Sequence, residues 1–522
     1  MPKISHKDRF DILLPLFLFF LVIITRIPFT SKLLYHMDSG HFALALEKYD
    51  ITVHQPHPPG YFLYVMLGKL LNYFIRDANS TFVFISIVFS SLTIIVLYYL
   101  GREIYDKKTG ILAAIFALTS PNLWFHGEVA LSYVLEAFFS TAVAFLCWRI
   151  YKGEHNYIWL SVIALGIAGG IRQNTIVFLL PLWLFSVKGV PIRKIIGSLA
   201  LMGLVCLLWF IPMVWMTGGW NAYREAFREL WLFNTGHISV FERGWESFKI
   251  FSSALLNFTF CSIGAGIYVL SLAAYSLIKH RRLKYLDRAK VYFFSFWVLP
   301  SVFFYLMVFN RPTNPGYVLI FLPALCILLV VSIGHLSSEF KNIIKKDIYI
   351  PVVTLVIVIN LYVFFFSSNQ ASCREIKKHD YELSIILRNI KLHDPTKTVV
   401  FVQEPYTFYG FRQVMYYLPE FRIYQIDKAI SSTGEVRKTF WGLNRKTFLS
   451  DEIILPKSTE YFIVLFLSDS RDEVMRIKNL SVKKLQPTDI YIALGHISLI
   501  KEMYPELKIR LQNNNKDNKY EL

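Results

Sequence analysis

The stretch His36-Met37-Asp38-Ser39-Gly40-His41 is followed, further on, by His54-Gln55-Pro56-His57-Pro58-Pro59-Gly60-Tyr61. Between them the two stretches hold one carboxylate and four imidazoles. A carboxylate such as Asp38 can take a proton from an attacking hydroxyl. Asp38 or Ser39 also precedes the helix-like residues 42–48, where either would serve as a helix N-cap. The residue types leave both readings open. His57 stands just before Pro58-Pro59, which fix the backbone, and could contact a phosphate or simply sit at a membrane interface. The four histidines could in principle assemble a zinc site. Two of them flank prolines elsewhere in the segment, however, and no helical HxxxH pair exists. The expectation is no cofactor and weak or no dependence on a divalent metal.

The elements that must position these groups are apolar. Of the 522 residues, 54% are hydrophobic, more than a soluble chain of this length carries. Runs such as 81–100 and 352–366 hold no charge and are near the length that crosses about 30 Å of hydrocarbon as a helix. Spans are predicted at about 10–27, 80–100, 109–125, 129–149, 157–171, 174–187, 195–216, 251–279, 290–309, 316–335 and 348–367, about eleven in all. Residues 58–75 read as an interfacial or re-entrant segment. Residues 217–249 mix Trp, Phe, Arg and Glu, and Trp220, Trp231 and Trp245 suit a headgroup belt.

The net charge of +18 does not point to nucleic acid. The basic residues gather in alternate short loops, which is the cytoplasmic bias of membrane proteins. That pattern puts the N-terminus inside and, after an odd number of spans, the C-terminal region outside. The five cysteines show no CxxC or CxxH spacing, so they read as small buried hydrophobes rather than a disulfide or metal framework.

Mid-span positions are almost free of charge, unlike those of a transporter. Polar residues collect at the outer ends instead: Asp38 and the histidines, then Glu128 and Glu136, Arg172, Arg311 and Asn314. One outer polar site above an apolar wall suits chemistry on a lipid-borne substrate. Beyond residue 368 the composition becomes ordinary. Strands are predicted at 398–402, 421–426, 461–466 and 489–493, with helical stretches at 414–417 and 472–477. The domain reading is therefore a helix bundle over 1–368, a soluble outer-facing α/β domain over 369–511 and a polar tail over 512–522. The fold class is mainly α, a polytopic membrane helix bundle with a C-terminal outer α/β domain.

Several pieces over residues 10–335 are collinear with one family. They are Asp38-Ser39; His57-Pro58-Pro59-Gly60-Tyr61-Phe62; Gly101-Arg102-Glu103-Ile104-Tyr105; Gly110-Ile111-Leu112-Ala113-Ala114; and Ser120-Pro121. On these the chain resembles the GT-C glycosyltransferases, in the branch of aminoarabinose transferases and protein O-mannosyltransferases. It departs from the pattern in three places. Tyr133 stands where the family often has a second acid, so Glu128 or Glu136 would take that role. His57 replaces a phosphate-contacting lysine. Gly316-Tyr317 replaces a late Arg-Tyr pair, which leaves Arg311 to supply the charge.

The resemblance implies a polyprenyl-phosphate sugar as donor, with no nucleic acid involved, and transfer to a lipid, glycan or protein acceptor at the outer face of a bacterial plasma membrane. Arg172, His57 and Arg311 would meet the phosphate, Tyr61 and Tyr317 would line the substrate site, and Asp38 would be the general base of an inverting transfer. Trp220, Tyr223 and Trp231 would pack on sugar or prenyl faces, or be interface aromatics only. The competing readings are a polymerase or ligase of lipid-linked glycans, a transporter or flippase of lipid-linked sugars, and a structural membrane protein.

Overall fold

The computed structural model describes residues 6–235, 238–280, 287–403, 411–430, 436–441, 446–448, 452–468, 471–505 and 507–512. The chain divides into two compact units. One is Met1–Ser31 with Pro58–Ile376, and the other is Lys32–His57 with Lys377–Leu522. The second unit therefore differs from the expected 369–511 domain, because it includes the first loop. The expected tail lies outside the described residues from 513 onward.

Each expected span holds at least one helix of the first unit, although the bounds differ: the 129–149 span starts as a helix only at Tyr133, and the 316–335 span at Leu322. Among the described residues, six helices are long and apolar enough to cross a membrane: Ala78–Ile104, Tyr133–Tyr151, Ile192–Met216, Arg288–Met307, Leu322–Lys341 and Tyr349–Phe366. Leu13–Phe29, Phe62–Ile75, Tyr157–Ile171 and Asn174–Ser186 are shorter apolar helices, so eleven full crossings are not established. The Ile192–Met216 helix leaves Leu204, Leu208, Ile211 and Trp215 exposed. Water would penalise such a face by about 25 cal/mol per Å², whereas hydrocarbon does not.

Two expected spans are broken. The 109–125 segment becomes Lys107–Thr119 and Pro121–His126. Ser120 accepts a hydrogen bond from Leu123 N, and Pro121 begins the new helix, where its missing N–H costs nothing. The 251–279 segment becomes Trp245–Ile263 and Gly266–Lys279, bent by 108°. Gly264 at the break has φ +51°, and a Cβ there would meet Asn360 Oδ1 at 2.5 Å. Residues 62–75 form a helix with Leu70, Tyr73 and Phe74 exposed. The Trp220–Thr235 helix exposes Trp220 and Trp231, as an interfacial helix does.

The second unit is built on a sheet. Its strands are β1 Thr398–Gln403, β2 Arg422–Ile430, β3 Val436–Trp441, β4 Lys446–Phe448, β5 Glu452–Pro456, β6 Tyr461–Leu467, β7 Ser481–Lys484, β8 Ile490–His496 and β9 Lys508–Gln512. Seven of them run in the order β4-β3-β2-β1-β6-β8-β7, and β5 pairs with β9. β1 is parallel to both β2 and β6, and the other pairings of the large sheet are antiparallel. Successive side chains of a strand point to opposite faces. Val400 and Val402 of β1 accordingly join Leu383, Ile386, Val414 and Leu44 on one side. Val399 and Phe401 join Phe462, Ile453 and Met503 on the other.

Leu44 comes from the first loop, whose helix Met37–Glu47 packs on the Phe411–Tyr417 helix. Hydrogen bonds fix the segment ahead of it. Asp380 accepts from Lys32 N at 2.7 Å and Leu33 N at 3.1 Å, Leu34 N donates to Tyr417 Oη at 2.9 Å, and Gln413 Nε2 donates to Leu34 O at 2.7 Å.

Candidate active-site residues

Neither Asp38 nor Ser39 is the N-cap residue of the Met37–Glu47 helix, although Ser39 completes its capping box. His36 is the N-cap: its Nδ1 accepts from Asp38 N at 3.1 Å, and Ser39 Oγ accepts from His36 N at 3.3 Å. Asp38 lies in the first turn, where the helix dipole favours a negative charge. Its carboxylate faces a ring of imidazoles. His36 Nδ1 is 3.5 Å from Oδ2, while His41 Nδ1 and His57 Nδ1 are 3.8 Å and 3.6 Å from Oδ1. The two latter nitrogens are 3.4 Å apart.

His41 is one helical turn after Asp38, so helix geometry alone brings it to the same face. His57 arrives from the far end of the loop, after a bridge between Asp50 and Gln55. Beneath this ring lies Arg412, fully buried, whose Nη2 donates to Val53 O. Gly40 allows the approach, since a Cβ there would meet Arg412 backbone and Cβ atoms at 3.1 Å. Burial lowers the Arg412 pKa to about 9. Burial, followed by His57 and Arg412, holds His41 well below the usual imidazole range, so this ring is neutral at physiological pH.

The first unit gathers a second group. Arg172 Nε is 3.0 Å from Glu136 Oε2, with both side chains buried. Thr175 Oγ1 donates to Glu136 Oε1 at 3.1 Å, and Arg172 Nη1 donates to Ser132 Oγ at 3.2 Å. The guanidinium carbon lies 4.2 Å from the Tyr133 ring centroid and 5.5 Å from that of Tyr61. Tyr133 Oη accepts from Asn314 Nδ2 at 2.6 Å. Tyr317 meets Tyr133 edge-on at 5.8 Å and stacks on Tyr305 at 4.8 Å. Glu136, Arg172, Tyr61 and Tyr317 are thereby brought into one buried cluster.

Glu128 belongs to a different one. Trp124 Nε1 donates to its Oε1 at 2.6 Å, and Arg26 lies over the same indole at 3.9 Å while donating to Leu118 O at 2.7 Å. These contacts pin the end of the first helix to the Pro121–His126 helix. Arg311 is half-buried in the loop after the Arg288–Met307 helix, 6.0 Å from the Phe309 ring. Sequence reasoning missed Arg412, Arg26, Ser132 and Thr175 as partners. His41 was legible by its i+3 spacing from Asp38. Nothing in the sequence links Arg412 to residues 40 and 53.

Residues 56–216 match the family model of the dolichyl-phosphate-mannose-protein mannosyltransferases, and this match indicates a glycosyltransferase. Among solved structures, the chain is similar to ArnT from Cupriavidus metallidurans bound to undecaprenyl phosphate. The identity is 11%, covering 94% of this chain and 98% of that one, with a TM-score of 0.54. The apo state of the same protein gives the same identity and coverage and a TM-score of 0.56. A weaker likeness joins it to the archaeal oligosaccharyltransferase AglB from Archaeoglobus fulgidus in complex with an inhibitory peptide and a dolichol-phosphate: 12% identity, 90% of this chain, 81% of that chain and TM-score 0.45. No curated protein matches the sequence.

Proposed function

We propose that this integral membrane protein moves a sugar from a polyprenyl-phosphate donor to an acceptor hydroxyl at the outer face of a bacterial plasma membrane, with inversion at the anomeric carbon. The observation that carries the reading is the position of Asp38. The capping bonds of its helix are made by His36 and Ser39, and its carboxylate faces three imidazoles instead. Asp38 would take the proton of the acceptor hydroxyl as the new C–O bond forms. The bond from the anomeric carbon to phosphate breaks, and the polyprenyl phosphate leaves with the electron pair. A phosphate is a good leaving group, so a positioned base matters more than an acid. Support for such a donor comes from the matched family's dolichyl-phosphate mannose and from the undecaprenyl phosphate in the ArnT structure.

Arg172, with its fork oriented by Glu136, is the leading phosphate partner, since guanidinium binds phosphate in bidentate fashion. His57 and Arg311 are further candidates. Tyr61 and Tyr317 would line the sugar or phosphate.

The test is Asp38→Asn. Losing a positioned base lowers transfer by about 100- to 10,000-fold, whereas stability should hardly change, because Asp38 is not the cap. Transfer of label from a polyprenyl-phosphate sugar, in membranes with equal amounts of each protein, decides it. More than about a tenth of wild-type activity in the variant would remove Asp38 as the base, leaving Glu136 and Glu128 to be tried next.

A further inference from the structure

We propose that the second unit carries a binding site for one neutral sugar residue, in a cleft at the amino ends of three parallel strands of the large sheet. β1 starts at Thr398 and β2 at Arg422, while Ser458 and Thr459 stand just before β6. In the sheet Val399 is level with Arg422 and Thr398 with Tyr461, so the three starts meet along one edge. The cleft there has a volume of about 190 Å³. Sites for drug-sized ligands have roughly 300–1,000 Å³, so this one takes a single ring rather than a chain. Open α/β sheets usually bind at the carboxyl ends of their strands. The inference therefore rests on the side chains and not on the place in the fold.

Thr398 and Thr459 line the cleft and are only 4% and 5% exposed. Among the described residues neither hydroxyl has a hydrogen-bond partner. A buried hydroxyl without one is costly, and the cleft is where a partner can enter. Thr396 Oγ1 donates to Asp394 Oδ1 at 2.7 Å, and Ser458 Oγ donates to Thr396 O at 2.9 Å. Each therefore keeps lone pairs to accept from a ligand. Glu420 and Arg422 complete the wall. Phe421 between them is buried in the core, and both charged side chains are exposed. Among the described residues they form no ion pair, with each other or elsewhere. The lining is thus a carboxylate that accepts, a guanidinium that donates and hydroxyls that do both, with no net charge. Glu420 would repel an anion and Arg422 a cation. A zwitterion would use the two charges and leave the hydroxyls unmatched. Neighbouring hydroxyls of a sugar ring, each donor and acceptor, suit the whole set, and Pro395 and Pro456 offer aliphatic faces to its C–H side. The inference stands on this cleft alone and does not need the transferase reading.

The experiment uses the full chain, purified in a detergent without a sugar headgroup. The probes are the methyl glycosides of glucose, galactose, mannose, xylose and arabinose, with inorganic phosphate and glycine as the anion and the zwitterion. Saturation-transfer NMR detects binding and calorimetric titration measures it. The expected result is saturable binding of at least one glycoside that Glu420→Gln and Arg422→Ala each weaken by about tenfold or more, the size of a hydrogen bond to a charged group. Thr398→Val, which keeps the shape and removes the hydroxyl, should weaken it too. Thermal unfolding checks each variant. If the buried Thr398 variant fails to fold, the exposed Glu420 and Arg422 variants carry the test. No saturable binding by any of the five glycosides would overturn the site, and so would phosphate or glycine binding in their place. Glycoside binding that both Glu420→Gln and Arg422→Ala leave unchanged would put the sugar elsewhere in the chain and overturn it as well.

Discussion

At the residue scale, the buried Glu136–Arg172 pair decides what substitutions there can mean. Removing one partner of a buried pair leaves a desolvated charge, at a cost of about 3–5 kcal/mol. Glu136→Ala should therefore destabilise the protein strongly. Glu136→Leu combined with Arg172→Met should recover much of that loss, because well-packed apolar pairs replace buried ion pairs at little cost. Unfolding transitions in detergent measure both. Sugar transfer should stay absent in the double variant if Arg172 meets the phosphate, and its return would show that the pair is purely structural. The two residues were individually legible as polar groups at outer helix ends. Their pairing was not, since they sit on different helices. Glu128 looked equivalent to Glu136 in sequence, and only the Trp124 and Arg26 contacts separate them.

At the scale of elements, the His36 cap and the Gly264 break make separable predictions. His36→Ala removes an N-cap acceptor and should cost about 0.5–2 kcal/mol, read as a lower unfolding temperature, whereas Asp38→Asn should not. Gly264→Val would force a side chain into a left-handed backbone and against Asn360, costing about 1–3 kcal/mol as overpacking, with the same readout. Each expected span holds a helix, because long apolar runs have few other solutions in lipid, but the bounds and the number of full crossings do not follow from those runs. The breaks at Ser120-Pro121 and Gly264 were hidden inside those runs. β1, β2, β6 and β8 were legible as apolar stretches in the middle of the sheet. β3, β4, β5, β7 and β9 were not. β7 and β9 are short and largely exposed, and such strands carry little hydrophobic pattern.

At the scale of the whole molecule, the charge bias predicts orientation. Cysteine placed at Lys152 should react with an impermeant reagent only from the cytoplasmic side, and at Lys483 only from the outer side. Labelling of both from one side would refute the odd number of crossings. The discontinuous second unit has a further consequence, in time. Residues 32–57 leave the ribosome more than three hundred residues before β1. At about 5–20 residues per second, they wait tens of seconds with Leu44 and the Leu34 carbonyl unmatched. Through that interval the segment bearing Asp38 is an unfinished half of a domain, open to proteases and chaperones. The first loop thus matures last, when the C-terminal elements it packs with have been made, and a chain arrested before residue 377 would lack the second unit's partners for residues 32–57.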